Sequence, residues 1–130
     1  MAIPALAPKI LALCLDPKLR KDEADLPLYS MMRHPATREI AWRWFRSNFD
    51  GLVRRIPATE VSALPLVSRR FCSKSRVDEV KSFFQPKLKT LPGAASTLQE
   101  ALESIELCSA RSQAQTNEIR DYFAAHPAKQ

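Results

Sequence analysis

At 130 residues the chain suits one domain with a core of its own. Apolar residues make up 45% and charged residues 26%, with only two glycines; this composition excludes a disordered or collagen-like chain and predicts an ordered, mostly helical one. The net charge of +6 favours an anionic partner, yet the cations are spread along the chain with interleaved acids, which argues against nucleic acid.

The N-terminal stretch has no basic leader, and Pro4, Pro8 and Lys9 interrupt its apolar run. A signal peptide and a membrane span are therefore not expected. Residues 6–15 read as a short helix stopped by Asp16 and Pro17. A second candidate covers about 21–32, with Leu26, Leu28, Tyr29 and Met32 as its apolar points and Pro27 disturbing its interior.

The third helix is the clearest. His34 stands at its N-cap and Pro35 at its first position, where a missing N–H costs nothing. It is expected to run to about Ile56 and to stop before Pro57. At about 100° per residue, Trp42, Phe45, Phe49, Leu52, Val53 and Ile56 share one stripe. Ile40 and Trp44 lie off it, while Glu39, Arg43, Arg46, Asp50 and Arg54 take the remaining, solvated side. Two apolar aspects predict neighbours on both, as in an interior helix of a stacked helical array.

A fourth helix is expected over 59–70, carrying Val61, Leu64 and Val67, with Pro65 as a kink. The spacing of Ser75 and Asp78 fits a capping box with a shorter acid. It precedes a stripe of Val77, Val80, Phe83, Phe84 and Leu88 that Pro86 closes. After Pro92 and Gly93, the residues Leu98, Ala101, Leu102, Ile105 and Cys108 form one face of a sixth helix. The apolar period is lost over 109–117, which predicts a break, then a last short helix with Ile119, Tyr122 and Phe123 and a fraying tail over 126–130. No segment alternates with period two. The expected fold is all-α: six or seven helices stacked as antiparallel pairs.

Candidate chemistry is sparse. A catalytic zinc of the H-E-x-x-H type needs two histidines four apart, a nearby glutamate and a third ligand. The only histidines, His34 and His126, are far apart in sequence and each is followed by proline. No G-x-S-x-G is present, and no cysteine has a credible histidine partner. Cys14, Cys72 and Cys108 are widely spaced and odd in number, which predicts buried, reduced thiols rather than a disulfide. The carboxylate pairs Asp78/Glu79 and Glu103/Glu106 read as solvated. The aromatic cluster beside Arg38, Arg43 and Arg46 offers a base-stacking platform, but two-sided helical spacing explains it as core. The densest basic run, residues 69–76, lies at the joint between two helices, where cations can face an anion together.

Three blocks in fixed order carry a family resemblance: W-R-W-F-R-S-N-F at 42–49, F-C-S-K-S-R-V-D-E-V-K-S-F-F at 71–84, and T-L-Q-E-A-L-E-S-I at 97–105. Together they resemble the C-terminal helical domain of the aminopeptidase N/puromycin-sensitive aminopeptidase family of zinc metallopeptidases. Many members carry Asn and Trp at the positions of Cys108 and Arg111, where this chain departs. The resemblance implies a HEAT-like superhelix of stacked helix pairs, with residues 1–130 forming the last part of a larger C-terminal domain. It implies a non-catalytic piece of the chamber wall that limits and positions peptides whose N-terminal residues the parent removes. No cofactor is expected in this chain, the zinc belonging to the parent. The expected partners are the parent's catalytic and other domains and a peptide substrate, with no membrane. Arg70 and Lys74 become candidates for holding a peptide carboxylate. The alternative is an independent helical scaffold binding an acidic protein or nucleic acid. A cytoplasmic location is expected, and the segment 3–15 is expected to be poorly packed or to self-associate, because a truncated solenoid end exposes apolar surface.

Overall fold

Proline decides where many of the helices begin. The computed structural model describes residues 4–128, and among them the helices are α1 (Ala7–Ala12), α2 (Leu26–Arg33), α3 (Pro35–Ser47), α4 (Phe49–Arg55), α5 (Ala58–Val61), α6 (Lys74–Phe84) and α7 (Ala94–Ala125), with no strand. Pro8, Pro27 and Pro35 sit at the first or second positions of α1, α2 and α3, where the ring fits the backbone and no hydrogen bond is lost. Pro27 thus starts a helix instead of disturbing one, and His34 occupies the N-cap of α3 as expected. Pro65 and Pro86 open tighter 3-10 turns over Leu64–Ser68 and Gln85–Thr90.

Three expectations about helix length are corrected. The third helix divides at Asn48, whose backbone leaves the helical region and whose side-chain amide donates to the Trp44 carbonyl at 2.8 Å. That carbonyl also accepts the Asn48 N–H at 2.9 Å, so the amide side chain competes locally with helix continuation. The fourth helix shrinks to α5 and the 3-10 turn after it. The break expected over 109–117 is absent, because α7 runs unbroken from Ala94 to Ala125. No glycine or proline interrupts it, and its Ala, Gln, Glu and Arg sustain the helix. The lost apolar period records what the helix touches there, since every residue from 110 to 128 is exposed. The capping box at Ser75 does not form either: α6 starts two residues earlier with Ser73 at its N-cap, and no side chain caps it.

The helices pack in pairs, α2 on α3 and α6 on α7, with α1 laid against α3 and the 64–68 turn against α7. The α2–α3 corner is closed by polar groups. Thr37 Oγ1, fully buried, donates to the Met31 carbonyl at 2.7 Å, and the Arg38 guanidinium donates to the carbonyls of Met32 and Arg33 at 2.8 and 3.0 Å. These bonds satisfy carbonyls that the end of α2 leaves open. Gly93 adopts φ +85° to turn the chain into α7, a conformation that L side chains rarely hold. Thr97 Oγ1 then donates to the Ser62 carbonyl at 2.6 Å, tying α7 to the loop after α5.

The core is aromatic. Trp42, Phe45 and Phe84 are fully buried, and Phe49 and Phe71 nearly so. Phe83 and Phe84 of α6 meet Phe45 and Phe49 edge-on or tilted at centroid distances of 5.3–6.2 Å, the arrangement that ring quadrupoles favour. The aromatic cluster is therefore core, as its spacing predicts, with Trp44 half-buried at the margin.

The N-terminal segment is packed on one face only. Ala7, Leu11 and Cys14 are fully buried, while Leu6, Leu13 and Leu15 are exposed; Ile3 lies outside the described residues, as do the last two residues of the tail. The larger exposed apolar set is Leu107, Ile119, Tyr122 and Phe123 on α7. Among the described residues no helix is long and apolar enough to cross a membrane.

Candidate basic joint between the helix pairs

Residues 69–73 connect the 64–68 turn to α6, and Phe71 anchors them. Its ring is buried against Trp42, edge-on at 5.5 Å, and the Arg76 guanidinium lies over it at 4.5 Å from the centroid. With Phe71 turned inward, its exposed neighbours Arg69, Arg70, Cys72 and Ser73 face outward.

Cys72 is bonded to Cys108 of α7. Two of the three thiols expected to be reduced are thus a disulfide, which sequence spacing could not disclose because the partners are 36 residues apart. Cys14 alone is free and buried, and burial pushes its thiol pKa up to about 11, with Asp25 acting in the same direction. It is a packing residue with little thiolate at neutral pH.

The two candidate anion-binding residues are separated. Arg70 lines a cavity of about 260 Å³ with Tyr29, Met32, Arg33, Leu66, Val67 and Arg69. Lys74 lines a different, open groove against α7, with Cys72, Ser73 and Ser109 among its walls. Sequence reasoning missed Arg33, which belongs to α2 and joins the cavity only through packing of that helix beside the 64–68 turn.

It also missed Glu79. Its carboxylate, expected in solvent, accepts from the indole N–H of buried Trp42 at 2.6 Å. Arg46 and Arg76 pair with it at 3.4 and 3.2 Å, and Arg76 also pairs with Glu39. Arg46 further lies over the Trp42 ring at 5.3 Å. One clue was available, since a buried indole needs an acceptor, but the register placing Glu79 there is tertiary. Arg46 and Glu39 therefore link α3 to α6 rather than facing only water.

No metal chemistry fits these residues. His34 is exposed at the start of α3, and His126 stacks on Tyr122 at 4.3 Å. Among the described residues no group of three or more His, Cys, Asp or Glu could hold an ion. The residues present do not fit the zinc that the resemblance assigns to the parent.

The comparison with known proteins accounts for this pairing of an ordered core with absent chemistry. A family model described as the ERAP1-like C-terminal domain matches residues 2–107. The chain belongs to this family. It is similar to aminopeptidase 2, mitochondrial, of Saccharomyces cerevisiae, at 29% identity over 105 residues, covering 78% of the chain and 11% of that protein. Endoplasmic reticulum aminopeptidase 1 of Homo sapiens is 28% identical over 92 residues, covering 68% and 10%. Aminopeptidase M1-D of Oryza sativa subsp. japonica is 29% identical over 92 residues, covering 69% and 10%. The chain spans about a tenth of the length of these relatives. What it matches is the C-terminal, non-catalytic domain of M1 aminopeptidases, and it is not itself catalytic. The family match ends at residue 107, so the exposed half of α7 lies beyond it.

Proposed function

We propose that this chain forms part of the chamber wall of a zinc-dependent aminopeptidase, where it limits and positions peptides whose N-terminal residues the parent enzyme removes. The observation that carries the reading is the family match over residues 2–107. The zinc and the hydrolytic step belong to the parent's catalytic domain, which with the other parent domains is this chain's partner. Within the wall, Arg70 and Lys74 are the proposed contacts for the peptide's carboxylate. They flank the Phe71 anchor and the Cys72–Cys108 bond, which hold the joint in place, and both are exposed. Since they line separate concavities, they would meet different parts of a peptide end rather than clamp one atom between them.

Photo-crosslinking tests this reading. In a full-length aminopeptidase carrying the chain, a peptide with a photoreactive group beside its C-terminal carboxylate should label residues 69–74. Label confined to other parts of the enzyme would remove this segment from the chamber.

A cytoplasmic location, proposed from cysteine usage, is in tension with the Cys72–Cys108 bond, since disulfides persist mainly in oxidising compartments. Alkylation of the protein in intact cells before lysis decides it: two protected cysteines would argue for an oxidising compartment, and free Cys72 and Cys108 for the cytosol.

A further inference from the structure

The cavity between α2 and the 64–68 turn carries more positive charge than a peptide terminus needs. Arg33, Arg69 and Arg70 line it, and no carboxylate does. None of the three guanidiniums has an acid within ion-pair reach or an intramolecular acceptor among the described residues, whereas Arg20, Arg46 and Arg76 are each matched to acids. Arg38 stands just behind. Its side chain is committed to the carbonyls of Met32 and Arg33, and burial together with the charge of Arg70 holds its proton affinity below the ordinary range. Asp25 and Glu60 act on Tyr29, and Glu39 on Arg38, all from outside the lining. Tyr29 itself donates to the Ala63 carbonyl at 3.3 Å. The remaining walls, Met32, Leu66 and Val67, are apolar and strengthen any charge pairing at the mouth by lowering the local dielectric.

We propose that this cavity binds the phosphoryl group of a small phosphorylated ligand. A carboxylate brings one charge and two oxygens and leaves cations unmatched. A phosphoryl dianion brings two charges and three oxygens, and guanidinium forks pair with those oxygens two at a time. The volume of about 260 Å³ lies just under the range of about 300–1,000 Å³ usual for drug-sized ligands, so it admits a charged head group and leaves the rest of the ligand outside. This inference shares Arg70 with the chamber-wall reading but does not rest on it, because Lys74 takes no part and binding needs no peptide.

The test is an NMR titration of the isotopically labelled 130-residue chain with inorganic pyrophosphate at low ionic strength. Saturable shifts are expected at the amides of Tyr29, Leu66 and Arg70. Arg33→Gln, Arg69→Gln and Arg70→Gln should each weaken binding about tenfold, Arg70→Lys by less, and Arg111→Gln on the far part of α7 not at all. All four side chains are exposed, so the fold should survive, and far-UV circular dichroism checks that it does. Three results would overturn the proposal: no saturable shift, an equal loss in Arg111→Gln, which would mean diffuse attraction to a basic surface, or displacement of pyrophosphate by a lower concentration of N-acetylated peptide, which would return the cavity to a carboxylate. The first two leave the chamber-wall reading untouched, and the third would support it.

Discussion

Glu79 and Trp42 form a polar link between α3 and α6. The indole N–H is buried with the ring, and the carboxylate is its acceptor. Glu79→Ala should cost about 1–3 kcal/mol by leaving that donor unpaired, and the cost should fall in a Trp42→Phe background, where no donor remains. Urea denaturation of the four-member cycle measures it; equal cost in both backgrounds would mean that the ion pairs to Arg46 and Arg76 carry the effect. Asp25 makes a pH-dependent prediction. Burial first, then Glu60, raise its carboxyl pKa above the ordinary value. The folded state thus binds this proton more tightly than the unfolded chain, and the charged form is penalised once pH rises through the raised value. Asp25→Asn should therefore raise Tm at pH 7, and the gain should vanish at pH values below the ordinary carboxylate range. A gain persisting in acid would assign it to packing instead. The apolar stripe through Trp42, Phe45 and Phe49 was legible in sequence because burial repeats with the helical period. Glu79, Arg33 and the Cys72–Cys108 pair were not, because each depends on a partner more than thirty positions away, which no local pattern encodes.

At the scale of elements, the joint and α7 are coupled through one covalent link. Closing a loop of 36 residues restricts the unfolded chain and should contribute about 2–4 kcal/mol. Cys72→Ser with Cys108→Ser should show that loss in denaturant, and native protein should yield no reactive thiol, with one appearing on unfolding as Cys14 is exposed. Two further thiols in native protein would contradict the bond. α7 also divides physically near this link. Ala94, Leu98, Ala101 and Ile105 are buried, while residues 110–128 touch no core. A helix without packing is marginal, so amides from about 112 to 125 should exchange within the range of local fraying and those of 98–107 only with global unfolding. Slow exchange along the whole helix would contradict this and mean that Ile119, Tyr122 and Phe123 are covered in solution. The break expected at 109–117 arose from treating apolar period as a test of helicity, when it tests only contact.

For the molecule as a whole, helix content, the number of helices and most boundaries set by proline follow from local chemistry. The site does not: Arg70 and Lys74 are neighbours in sequence yet serve different concavities. What the fold supplies is a buried aromatic centre and a basic joint pinned by a disulfide. The most direct test is peptide-length dependence in the full-length enzyme carrying Arg70→Glu and Lys74→Glu. The account predicts that hydrolysis of a short, uncharged reporter substrate stays near wild type, while discrimination among peptides of increasing length is altered. Length dependence that remains unchanged, or short and long substrates that fall together, would contradict it.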